Sequence, residues 1–207
     1  METYVLRVWL PDRPGALGAV ASRIGAVKGD VVGIDILETG AGQAVDELVV
    51  RLPDATLVDL LVSEVRQVDG VQVEEVRAIG ADQHDPKRAT LETALRLVAA
   101  ADRRSLLEVA RDVAPRSLSA AWIAVLDLEA NEVLVAGERG PSAGWLVAFV
   151  HGASDGQGGD VIWTPMPEGG MALVAGRDGI AWRTRERSEL EALAHILAIR
   201  WNELAPA

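Results

Sequence analysis

Between Tyr4 and Leu10 apolar residues alternate, with Leu6, Val8 and Leu10 on one face, which predicts a strand. Leu17, Val20, Ala21, Ile24 and Val27 then recur at helical spacing. Alternation returns over Val31–Glu38, where Val32, Ile34 and Ile36 share a face, and Gly40-Ala41-Gly42 reads as a hairpin turn. The partner strand carries Leu48, Val50 and Leu52 inward, against Glu47 and Arg51. Leu57, Val58, Leu61, Val62, Val65 and Val68 form a second helical stripe, Asp69-Gly70 stops it, and Val71–Ile79 is a last strand. The order strand, helix, strand, strand, helix, strand is the split βαβ, ferredoxin-like unit: a four-stranded antiparallel sheet with both helices on one face. Alternation places Val5, Trp9, Leu37 and Val49 on the other face. An apolar face predicts a cover, from a second chain, from the rest of the chain, or from both.

After Ile79 the pattern changes. Residues 80–86, Gly-Ala-Asp-Gln-His-Asp-Pro, are small and polar and read as a linker between a 1–79 domain and an 87–207 domain. In the second block a helix from about Lys87 uses Leu91, Leu95 and Val98. Another follows Asp102 on Leu106, Leu107, Val109, Ala110 and Val113, and Pro115 is expected to end it. Ala120–Leu128 and Glu132–Ala136 read as one hairpin, and Asp160–Thr164 and Gly170–Ala175 as another turned at Pro167-Glu168-Gly169. Ile180–Thr184 reads as an edge strand. The last helix carries Leu190, Leu193, Ala194, Leu197, Trp201 and Leu204 on one stripe, with Glu186, Glu189 and Arg200 outside. The fold class is therefore α+β in both blocks.

Composition narrows the functions. The 207 residues include no cysteine, which removes disulfides, thiol catalysis and cysteine-bound metals and fits a reducing compartment. Net charge is −11, and residues 1–80 hold 13 acidic against 7 basic side chains. Neither half is basic, so a nucleic-acid surface is not expected. Met1-Glu2-Thr3 runs straight into a strand, and no stretch has the length and apolarity of a membrane span. A cytoplasmic protein is expected. His84, His151 and His195 have no second ligand at metal spacing, so no metal and no cofactor are predicted. Residues 155–160 lack the alternating oxygens of a calcium loop and read as a hairpin tip. No nucleophile elbow, phosphate loop or dinucleotide fingerprint occurs, so no catalytic residue is assigned. Arg183, Arg185 and Arg187 read as a solvated helix entrance. Five of the six tryptophans lie in the second block and read first as core. Trp145, in an irregular stretch with Phe149 and His151, is the candidate wall or lid of a second pocket.

One short segment carries chemistry. Pro11 ends the first strand, and Asp12-Arg13-Pro14-Gly15-Ala16-Leu17 leads into the first helix. Asp12 is a helix cap by type, Pro14 suits a first turn, and Gly15 admits close approach. Free N–H groups at a helix start suit a carboxylate. With Gly29-Asp30-Val31-Val32 opening the second strand, and with this element order, the first 79 residues resemble an ACT domain, a small ligand-sensing module. The resemblance implies an effector site built from Asp12, Arg13, Pro14, Gly15, Ala16, Leu17 and Asp30, completed across a paired domain. Asp30 departs from the asparagine common at that place.

The second block is similar to a GAF domain, a central antiparallel sheet flanked by helices. Leu173-Val174-Ala175-Gly176-Arg177, Trp182-Arg183 and Glu186 carry the likeness, which implies a sensing or dimerising module. The expectation is a non-catalytic regulatory homodimer that binds a small-molecule effector, an amino acid, and is read by a downstream protein. A dimerisation scaffold without a ligand is the alternative, and a small hydrolase or lyase around His151, with Asp155 and a serine clustered beside it, is a second.

Overall fold

The computed structural model describes residues 1–80, 86–152, 157–167 and 170–205, and the chain forms two compact units, Met1–Asp85 and Pro86–Ala207. The unit boundary falls within the predicted linker. Most of that linker, with His84, lies outside the described residues.

In the first unit β1 (Glu2–Pro11), α1 (Ala16–Ala26), β2 (Asp30–Gly40), β3 (Gln43–Leu52), α2 (Val58–Val65) and β4 (Gln72–Ile79) follow the predicted order. A 3-10 turn at Ala55–Leu57 precedes α2. The strands lie in the order β2-β3-β1-β4, and every pairing is antiparallel. Ala41 and Gly42, both at positive φ (52° and 75°), form the two-residue turn that sets the β2–β3 register. Leu6, Val8, Leu48, Val50 and Leu52 from the sheet meet Val20 and Ile24 of α1 and Leu61 and Val65 of α2 in one core. Each such side chain contributes roughly 1.5–3 kcal/mol relative to exposure.

Two features depart from simple alternation. Val32, Ile34 and Ile36 are 39%, 47% and 52% exposed rather than in the core. The edge strand β2 slips register between Val31 and Gly33 and between Ile36 and Glu38. Ile34 and Ile36 stand opposite Leu48 and Asp46, on the helix side of the sheet, where the helices leave them uncovered. The other sheet face carries the alternate positions of the same strands. Val5, Leu37 and Val49 are buried there, and Arg7, 1% exposed, donates from Nε and Nη2 to Glu47 Oε1 at 3.1 and 2.7 Å.

The second unit contains α3 (Pro86–Val98), α4 (Arg103–Asp112), α5 (Ala114–Ser117), β5 (Trp122–Asp127), β6 (Glu132–Ala136), α6 (Ala143–Gly152), β7 (Gln157–Gly158), β8 (Val161–Met166), β9 (Met171–Gly176) and α7 (Thr184–Glu203). Its antiparallel sheet has the order β6-β5-β9-β8-β7. Strict alternation splits the core. Ile123, Val125, Leu173 and Ala175 face Leu106, Ala110, Leu190, Leu193 and Leu197, whereas Trp122, Ala124, Leu126 and Val174 face Leu146 and Val150 of α6. The Trp122 indole lies on Gly176, where a Cβ would come within 2.2 Å of the ring.

Several expectations about the elements of this unit are revised by the structure. The stretch around Trp145 is not irregular but forms α6. Ile180–Thr184 is not a strand; it approaches α7, and Trp182 is held by its indole N–H donating to Asp160 O at 2.9 Å. α4 stops short of Pro115 as expected, but Pro115 opens no loop: it sits near the start of α5, where its missing N–H is harmless. Leu91, Leu95 and Val98 are 71%, 69% and 56% exposed, because α3 buries Thr93 and Leu97 instead. Residues 153–156 and 168–169, including parts of the predicted hairpin tip and turn, lie outside the described residues.

Candidate functional site

The segment from Asp12 to Gly18 joins the end of β1 to the start of α1. Asp12, Arg13, Pro14 and Gly15 are exposed, Leu17 is half-buried, and Ala16 packs into the first unit's core. The loop is pinned at its base, where the Asp12 N–H donates to Gly42 O at 2.9 Å and the Arg13 N–H to Pro11 O at 2.8 Å. Gly15, not Asp12, is the N-cap residue, and no side chain caps the helix. Its φ of 88° is left-handed, which explains why glycine stands there. Pro14 accordingly precedes the helix instead of entering its first turn.

The consequence is an open helix start. The Ala16 N–H turns back to Arg13 O at 3.2 Å. Among the described residues no acceptor faces the N–H groups of Gly15, Leu17 or Gly18. Among the described residues nothing lies within 4 Å of a Cβ built on Gly15 or Gly18. The first N–H groups of an α-helix carry partial positive charge, and an anion satisfies them.

Asp30 does not join this site within one chain. It opposes Arg51 on β3, and Arg51 Nη2 donates to Asp30 Oδ2 at 2.9 Å. Pro11, at the loop, opposes Gln43, eight positions away along β3, a separation of roughly 26 Å.

A carboxylate that the sequence reading passed over does lie on the loop's side. Asp46 is 3% exposed, and its Oδ1 has no hydrogen-bond partner among the described residues. Burial, and then the charge of Asp12, push its carboxyl above the usual carboxylate range. The signal was present in the sequence. In β3 the even positions 44, 48, 50 and 52 are apolar core, and Asp46 interrupts that stripe.

The proposed second pocket takes a different form. Trp145 and Phe149 stack on the surface of α6 with ring centroids 4.9 Å apart, and Trp145 is 43% exposed. His151 is exposed, and its Nε2 lies 2.6 Å from Asn131 Oδ1, so its partner is an amide rather than a serine. Asp155 lies outside the described residues. Arg183 is buried, not solvated, and its N–H donates to Glu186 Oε2 at 2.8 Å. No cluster of three metal-ligating side chains occurs among the described residues, and no helix there is long and apolar enough to cross a membrane.

Residues 4–70 match the family model of the ACT domain, in agreement with the ferredoxin-like order of the first unit. No curated protein matches the sequence. Solved structures similar to the chain include the ACT domain of a GTP pyrophosphokinase from Chlorobium tepidum, at 16% identity and a TM-score of 0.31, covering 38% of this chain and all of that one. A formyltetrahydrofolate deformylase from Pseudomonas putida, at 16% identity and 0.33, covers 45% of this chain and 36% of its own. A protein of unknown function from Galdieria sulphuraria, at 15% identity and 0.35, covers 98% and 92%.

Proposed function

We propose that the chain is a non-catalytic, cytoplasmic regulatory protein whose first unit binds an amino acid at the Asp12–Gly18 loop. The observation that carries the reading is the open helix start, with three N–H groups that no acceptor of the described residues satisfies. The ACT match over residues 4–70 supports a small-molecule regulatory role in general. The ligand's carboxylate rests on the N–H groups of Gly15, Leu17 and Gly18.

A homodimer completes the arrangement. The exposed row Val32, Ile34 and Ile36 on the edge strand suits a second copy of β2 laid antiparallel to the first. That pairing brings the partner subunit's Asp30 toward the Gly40 end of β2, the end next to the loop through the Asp12–Gly42 bond. A ligand at this seam favours one packing of the two copies if it binds that packing more tightly. The second unit, read as a GAF-like module, passes the change to a downstream protein.

The competing reading is a scaffold that dimerises without a ligand, favoured by the same apolar row. Thermal-shift measurements on the full chain with the twenty amino acids separate the two. An amino acid at a hundred times its Kd adds about 2.7 kcal/mol of stability and raises the melting temperature. Melting curves that no amino acid moves leave the scaffold.

A further inference from the structure

We propose that Asp46 makes this site selective for amines, by receiving the ammonium group of a ligand whose carboxylate rests on the N–H groups of Gly15, Leu17 and Gly18. The inference rests on the loop being a ligand site, and it names what the loop alone leaves open. An open helix start accepts any small anion, whether a hydroxy acid, a keto acid or a phosphate. Selection among anions needs a second group.

Asp46 has the position for it. It lies on β3 between Ala44 and Leu48 of the same stripe, opposite Val8 on β1 and Ile36 on β2. Leu10 opposes Ala44 and Pro11 opposes Gln43, so the end of β1, where the loop begins, lies beside β3 two to three residues from Asp46, and the Asp12–Gly42 bond holds the loop at that end. The carboxylate therefore sits at the loop end of the sheet, on the side that α1 covers, near enough for the charge of Asp12 to act on it.

It also has an unmet need. Buried carboxylates are ordinarily paired with a cation or bonded to N–H and O–H donors. Asp46 is 3% exposed and accepts no hydrogen bond among the described residues. Its neighbours Val8, Ile36, Ala44 and Leu48 have no donor side chain. A ligand ammonium supplies both the charge and the donors. A hydroxyl in the same place supplies one uncharged donor. A second ligand carboxylate there meets the like charges of Asp46 and Asp12. The ligand class that fits is a zwitterion with its amine beside its carboxylate.

The test compares the nineteen primary amino acids with their 2-hydroxy acid counterparts, which differ only in the amine, by calorimetric titration of the full chain. For the amino acid that binds, the hydroxy acid is expected to be weaker by at least about tenfold. Asp46→Asn, close in shape, is expected to abolish that preference while the hydroxy acid still binds. Equal affinities within the pair in the unaltered protein overturn the assignment, without any variant having to fold. Retention of the preference in Asp46→Asn, with an unchanged circular dichroism spectrum, overturns it as well and leaves Asp46 a counter-charge to the helix end. In both of those cases the loop remains a ligand site. If neither member of any pair binds, the loop reading and the amine assignment fall together.

Discussion

A single carboxylate in a core stripe has consequences for stability as well as for binding. The Asp46 carboxyl keeps its proton to higher pH in the folded protein than in the unfolded chain, because burial and Asp12 disfavour its charge. Stability therefore falls as pH rises from the unfolded carboxyl's range, about pH 4, through the folded one, and stays lower above it. Asp46→Asn is expected to stabilise the first unit by about 1 kcal/mol near neutral pH. The gain should vanish below about pH 4, which urea melts at both pH values will show. At this scale the sequence was informative about backbone and less so about burial. Gly15 was legible as the residue of a tight loop, because only glycine takes its left-handed φ easily. Asp12 was a cap by residue type, but the chain enters the helix three residues later, so its side chain has no helix N–H to reach.

At the scale of elements, hydrophobic period identified helices and strands but did not always say which side is buried. In α3 the apolar stripe Leu91, Leu95 and Val98 has the right spacing, yet the neighbouring face through Thr93 and Leu97 is the one packed. In α7 the stripe Leu190, Leu193 and Leu197 faces the core as expected, but Glu186, read as outward, is 5% exposed. Its carboxylate accepts from Arg177 Nη1 and Nη2 at 2.6 and 2.7 Å, and Arg177 also stacks on Trp182 at 4.1 Å. This pair ties the end of β9 to the first turn of α7, a partnership across nine positions that periodicity does not encode. Removing one side of a buried pair strands the other charge. Glu186→Ala is expected to cost about 3–5 kcal/mol. Thermal melts followed by tryptophan fluorescence measure it, since Trp182 reports from inside the network.

For the whole molecule, the order of elements carried the first unit's topology, because one helix between strands of one sheet and a two-residue turn leave few alternatives. The geometry of the candidate site was half legible. The loop was visible as a motif, but Asp30 shares an end of the sheet with Arg51, which only strand register reveals. Association is the property that no single element reports. Ile34→Lys places a charge in the middle of the exposed row on β2. It is expected to weaken self-association by at least about tenfold, roughly 1.4 kcal/mol, in sedimentation equilibrium. The fold should be preserved, since that side chain is 47% exposed in one chain.

The irregularities of β2 also bear on how far such association runs. A long straight border strand recruits further chains without end, the route to fibrils. Here the ladder slips on both sides of Gly33–Ile36, which breaks the strand into short regular runs. Each copy thus offers a short, twisted docking segment, and once two copies have used it no template remains on that side. On the proposed pairing, the strand that invites a neighbour also limits the company to one, so fibril seeding should be weak at concentrations where dimers are full.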